Sequence, residues 1–340
     1  MVLFVFANGF CLLVCCREPT SASSTEVKVL VGVQVQCDDE RAPLLPPDYF
    51  LSPDLKGEFV PPNAGAARAK VKELLRMPLS ARRRRKFAFG CLYKTIFEKR
   101  AYKVDGGTAV DLHVQLEGVN ETSVVHIRRL GVEQETLLRS CGRLGDCLSG
   151  RQGGDCRPPK LGNSRKGVGD VGEMYAIGLK NAKEGWQYVT TRDNAAAKTI
   201  VAESSLLMSE YMRGNLGGVY DKIKKTERDN GCEGYVSELK DGPSSFMVVS
   251  ADYGSAGHMD FRDESPTAAL WVERKPGLAD NWFFLLPNVS VEGSKGVVIQ
   301  LRHGTVIAWE GRKIFHCSSI PTIQDGNGVY GCAWLSAAST

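Results

Sequence analysis

The sequence predicts an α+β protein whose strands are concentrated toward the C-terminal end as a sandwich or barrel. From Phe246 onward, short apolar runs follow one another between turn residues: "FMVVSADYG", "TAALWVERK", "NWFFLLPNVSV", "GVVIQLRHGTVIAW", "KIFHCSS" and "VYGCAWLS". Several strands at such short spacing are the mark of a sandwich or barrel. Upstream, residues 194–212 carry Ile200, Val201, Leu206, Leu207 and Tyr211 at helical spacing, and Gly214, Gly217 and Gly218 end that run. Between this helix and what precedes it, "GRQGGDCRPPKLGNSRKGVG" is loaded with Gly, Pro and basic residues, which marks a linker or mobile loop.

These signals divide the 340 residues into four parts: an N-terminal segment and connector (1–66), a basic α/β region (67–150), the Gly/Pro/basic linker (151–169) and a β-rich domain (170–340). Hydrophobic residues make up 43% and charged residues 24%, which excludes a disordered chain, a collagen and a multi-span membrane protein. The first 16 residues are apolar but short for a membrane span and lack the positive start of a signal peptide. A buried strand or a misassigned start is expected there, and no stable membrane association. Asn120-Glu121-Thr122 and Asn288-Val289-Ser290 match the glycosylation pattern, a triplet common by chance, so an intracellular chain is expected over a secreted one.

Net charge is only +4, but it is unevenly placed. From Arg68 to Lys103 there are 13 basic and 2 acidic residues, an excess of +11, so the remainder sums to −7. Within this stretch Arg82 to Lys86 is uninterrupted: a nuclear address, a patch for nucleic-acid phosphates, or a solvated face. In "TAVDLHVQLEGV" and "TSVVHIRRLGV" alternating residues predict two strands around a turn at Gly118–Glu121, with His113 and His126 as ordinary strand side chains. Eleven cysteines leave at least one unpaired, and Cys141, Cys147 and Cys156 fit no common zinc spacing, so reduced thiols are expected.

The chemistry concentrates in the β-rich region. His258-Met259-Asp260 places an imidazole and a carboxylate two residues apart, on one face if the segment is extended. His316, on a later strand after the Glu310-Gly311 turn, supplies a third ligand. Two neutral imidazoles and one carboxylate leave open positions on a metal and are the set that non-haem Fe(II) enzymes use.

At these residues the sequence resembles the Fe(II)/2-oxoglutarate-dependent dioxygenases. The matching features are His258 and Asp260, the strand from Gly304 to Trp309, His316 58 positions after His258, and the strand from Cys332 to Leu335. The resemblance covers the last quarter to third of the chain. It implies a double-stranded β-helix (jelly-roll) core flanked by helices, with Fe(II), 2-oxoglutarate and O₂ as cofactor and co-substrates. Asp263, in "HMDFRD", is similar to the branch of ten-eleven-translocation and J-binding dioxygenases, and to a 5-methylcytosine-modifying relative that uses ascorbate. That similarity implies a modified nucleic-acid base as substrate and places Asp263 in the co-substrate site. A protein side-chain hydroxylase and a β-helix module without turnover are the alternatives, and no oligomeric state is implied.

One departure stands out. The family carries an Arg on the strand after the distal His, where it binds the far carboxylate of 2-oxoglutarate. After His316 this chain has no Arg or Lys. Arg274, on the same alternating face as Ala268, Leu270 and Val272, is the expected substitute if that face points inward; a solvated Arg beside Lys275 is the alternative. Ascorbate as co-substrate, or loss of activity, also follows from the missing Arg.

Overall fold

The computed structural model describes residues 3–7, 10–14, 27–34, 101–116, 120–150, 171–182, 185–189, 195–260, 263–280, 282–294, 296–319, 322–323 and 327–336. In chain order the strands begin with Leu3–Ala7 (β1) and Phe10–Val14 (β2), an antiparallel pair of their own. Lys28–Gln34 (β3), Tyr102–Asp105 (β4), Val110–Leu116 (β5) and Thr122–Arg129 (β6) follow, then helix Glu135–Ser149 (α1). Val171–Ala182 (β7) and Gly185–Val189 (β8) precede the helices Ala195–Asn215 (α2) and Gly217–Asp229 (α3). The remaining strands are Phe246–His258 (β9), Thr267–Glu273 (β10), Ala279–Asp280 (β11), Phe283–Leu286 (β12), Val289–Ser290 (β13) and Val297–Gln300 (β14). Thr305–Trp309 (β15), His316–Ser318 (β16), Thr322–Ile323 (β17) and Val329–Leu335 (β18) complete them.

Strands β13-β3-β5-β6-β15-β10-β18-β9-β16-β12-β14-β4 form one hydrogen-bonded path, with β7 also on β9 and β8 on β7. Long β9 turns the path: residues 246–251 pair with β18, whereas Ser255 and His258 pair with β16. The two arms then face each other. Leu112, Ile127, Trp271, Ile307 and Trp309 from one arm share a core with Phe284, Leu286, Val297 and Ile299 from the other. This mostly-β, barrel-like body agrees with the expected sandwich or barrel. Strands β3 to β6, from the N-terminal half, belong to the same sheet as the C-terminal strands.

Among the described residues, helices α1, α2 and α3 cover the outside of one arm. In α1, Leu137, Cys141, Leu144 and Leu148 recur at three- and four-residue spacing and are buried against that arm. Gly145 is required there, because a Cβ would collide with the Tyr330 ring of β18. Strand β10 is consequently buried on both faces: Ala268, Leu270 and Val272 enter the helix-side core, Ala269 and Trp271 the barrel core.

The helix expected at 194–212 runs from Ala195 to Asn215. Gly217 and Gly218 do not merely end it, for they open α3, which buries Val219, Ile223 and Glu227. Neither glycine has a neighbour where a Cβ would stand, so this exposed first turn tolerates residues that would weaken a helix interior. The β5–β6 pair is antiparallel as expected, and His126 serves it, its Nδ1 lying 2.8 Å from Asp111 Oδ1. Cys141 and Cys147 are buried and lie outside any disulfide, as expected of reduced thiols. Cys156, the Arg82 to Lys86 run and nearly all of the basic stretch lie outside the described residues. No helix among the described residues is long and apolar enough to cross a membrane.

Candidate metal centre

The site forms where β9 ends against β16. Antiparallel register puts His258 opposite His316, the first residue of β16. Asp260 follows two residues beyond His258, and its backbone N–H donates to the Gly311 carbonyl at 2.8 Å, which ties it to the turn that connects β15 to β16. That connection is itself held: Lys313 and Ile314 N–H groups donate to the Glu310 carbonyl, and the Glu310 carboxylate accepts from Ser123 Oγ at 2.9 Å. Burial raises the Glu310 carboxyl, but its bonds from Lys313 and Ser123 and the charge of Lys222 outweigh this and hold it below the usual range.

His316 Nε2 and Asp260 Oδ2 approach to 3.2 Å. His316 Nδ1 lies 2.8 Å from the Ile314 carbonyl. A carbonyl only accepts, so Nδ1 carries the hydrogen, and in a neutral ring Nε2 then presents its lone pair. This backing hydrogen bond is the one that metal-binding histidines use to fix tautomer and ring angle. His316 is buried while the Asp260 side chain is one-quarter exposed (26%), so the pair opens to solvent on the carboxylate side. The His258 side chain lies outside the described ones, and among the described residues no cluster of three ligand-type side chains is present.

Three aromatic residues close the other side. His316 stacks on Phe284 at 5.4 Å and meets Trp309 edge-on at 5.2 Å; Trp309 in turn packs on Phe284 at 4.8 Å and Trp271 at 6.3 Å. Gly311 is the other residue that sequence reasoning missed. A Cβ there would stand 3.1 Å from Asp260 Oδ2 and 3.3 Å from Asp263 Oδ2. Period-two alternation could have flagged Trp271 and Trp309 as facing the same side, but their proximity to His316 depends on sheet closure, which no local pattern reveals.

Asp263 is buried three residues after Asp260, donating its N–H to the Asp260 carbonyl and accepting from Thr267 Oγ1 at 3.0 Å. Arg274 requires a correction. The face it shares with Ala268, Leu270 and Val272 points at the helices, not into the barrel. Its Nε lies 3.0 Å from Asp146 Oδ1 of α1, an oxygen that also accepts from the Tyr330 hydroxyl. The expectation failed because β10 is covered on both faces, so apolar alternation could not say which is the interior. Among the described residues, no Lys or Arg is buried.

No protein-family model matches this sequence, and no curated protein sequence matches it significantly. Solved structures resemble it at low similarity. NgTET1 in complex with 5mC DNA has a TM-score of 0.47 and 9% identity over 70% of this chain and 82% of that one. A 2OG-Fe(II) oxygenase family oxidoreductase from Burkholderia pseudomallei has a TM-score of 0.33 and 11% identity, covering 63% and 86%. A bsmA homolog from Methylobium petroleophilum has a TM-score of 0.28 and 11% identity, covering 61% and 86%.

Proposed function

We propose that this chain is an Fe(II)-dependent dioxygenase that oxidises a substrate C–H bond, with His258, Asp260 and His316 as the metal ligands. The observation that carries the reading is the approach of His316 Nε2 to Asp260 Oδ2 at 3.2 Å with the Nδ1 hydrogen committed to Ile314. A lone pair facing an ionised carboxylate at that distance is repulsive unless a cation or proton lies between them. First-row metal bonds of ~2.0–2.2 Å at right angles bring adjacent ligand atoms to about 3 Å, so the pair fits a metal. His258, opposite His316 in register, completes the two-histidine, one-carboxylate set that leaves open positions for co-substrate and O₂.

When bound, Fe(II) supplies activation of O₂ at the expense of 2-oxoglutarate or ascorbate. The chain's own residues do the rest. Ile314 orients His316, the Gly311 carbonyl fixes the Asp260 backbone, and Phe284, Trp309 and Trp271 keep water from the imidazole side. Asp263 is assigned to the co-substrate side, as the second carboxylate in contact range of Gly311. A modified nucleic-acid base, a 5-methylpyrimidine, is the substrate this reading favours. Its supports are the "HMDFRD" run and the +11 excess from Arg68 to Lys103, suited to phosphates. A base in a duplex would have to be extruded to reach the site.

Oxygen consumption with 5-methylcytosine DNA, Fe(II) and either co-substrate tests this, with Asp260→Ala as the control. Consumption coupled to base oxidation, and lost in the variant, is expected. A second reading, a module that binds iron without turnover, is favoured by the engagement of Arg274 with Asp146; it predicts bound iron and no oxygen consumption.

A further inference from the structure

Three buried side-chain polar atoms make no hydrogen bond among the described residues: Ser209 Oγ, Trp309 Nε1, and Glu238 Oε1, which is instead ion-paired with Lys198 Nζ at 3.5 Å. Ser209 belongs to α2, and the other Glu238 oxygen accepts from Ser237; both sit with the helices. Trp309 does not. It is only 6% exposed, its indole stands edge-on to His316, and the surrounding core is otherwise apolar. A buried N–H without an acceptor is costly and rare in a native interior, and a group the protein alone does not satisfy points to an acceptor brought from outside.

We infer that the Trp309 indole N–H is the donor that holds the organic ligand beside the metal, by donating to an oxygen at the end of that ligand far from iron. The inference rests on the metal reading of His258, Asp260 and His316. Two further observations favour an indole in this role. Arg274 is turned toward α1, and no Lys or Arg is buried among the described residues, so a neutral donor is the polar group available within the aromatic wall. Its ring is also buried and packed against Phe284 and Trp271, so the donor is preorganised and little freedom is lost on binding. The shared chemistry is an oxygen acceptor, which both 2-oxoglutarate (a carboxylate) and ascorbate (hydroxyls) present. A carboxylate in an apolar wall without a cation is the poorer match.

The experiment is anaerobic calorimetric titration of 2-oxoglutarate and, separately, ascorbate into the Fe(II)-loaded full chain, wild type and Trp309→Phe. The variant keeps an aromatic ring and removes only the donor edge. Expected is a roughly tenfold weaker affinity for the ligand that binds, with metal content unchanged, the size of one hydrogen bond. Alongside it, the ¹⁵N–¹H indole resonance that vanishes in Trp309→Phe should move downfield in wild type when that ligand is added to protein carrying a diamagnetic divalent metal. Equal affinities together with an unmoved resonance would show that the N–H does not hold the ligand and would overturn the inference while leaving the metal site standing. Metal binding that survives His316→Ala would overturn the metal reading, and the inference with it.

Discussion

Gly311→Ala is the substitution most sharply specified by the geometry. Its Cβ would stand 3.1 Å from Asp260 Oδ2, 3.2 Å from Asp260 Cβ and 3.3 Å from Asp263 Oδ2. Such contacts are tighter than ordinary van der Waals approach, so the Asp260 side chain must retreat by a few tenths of an ångström. Asp260 cannot do so freely, since its backbone N–H is bonded to Gly311 and its carbonyl to Asp263. Metal sites tolerate ligand displacements of only about 0.2 Å. The loss should resemble that from disturbing an outer-sphere partner, ~10–100-fold in metal affinity, or about 1.4–2.8 kcal/mol. Competition titration with a fluorescent chelator under nitrogen measures it, and circular dichroism with thermal melting reports the fold. Wild-type affinity with an unchanged melting profile would refute the assignment of Asp260 as a ligand.

The other outcomes expected from the structure are independent of that one. Gly142→Ala, inside α1 with open space where its Cβ would stand, should raise stability by about 0.5–1 kcal/mol in a denaturant titration. Arg274→Ala should cost about 1 kcal/mol at most, because its ion pair with Asp146 is one-third exposed, and should leave co-substrate affinity unchanged in the same anaerobic titration. Burial raises the Glu227 carboxyl despite its bonds from Ser245 and Ser336. A native acid held above its unfolded value favours folding while protonated, and that advantage is lost as pH rises through the folded value. Glu227→Gln should therefore raise Tm at neutral pH, with the gain fading as pH falls into the ordinary carboxylate range.

The β-rich region was legible because its strands are bounded by turn residues: each apolar run quoted from Phe246 onward contains a strand, and His316 opens β16 as expected. What sequence could not supply was the third dimension. α1 was not foreseen although Leu137, Cys141, Leu144 and Leu148 keep helical spacing, because Gly142 and Gly145 are weak helix formers and the need for Gly145 comes from Tyr330, far away in sequence. The inward direction of β10 was misread for the same reason, as a strand covered on both faces offers no polar side to orient it. In the candidate site, His258, Asp260 and His316 were read from spacing, and the structure brings Asp260 to His316 and sets His258 in register. The aromatic wall and Gly311 act through contacts between residues far apart in sequence, such as Trp271 with Trp309, 38 positions on, and Asp260 with Gly311, 51 positions on, and these exist only once the sheet closes.

The central claim is the metal. Wild-type chain and the His258→Ala, Asp260→Ala and His316→Ala variants should be loaded with Fe(II) under nitrogen, desalted, and assayed for iron per chain by plasma mass spectrometry. The account predicts about one Fe(II) per wild-type chain, since three protein ligands leave an open but well-held ion, and little in any variant that keeps its fold. Iron retained equally by folded variants, or absent from folded wild type, would contradict it.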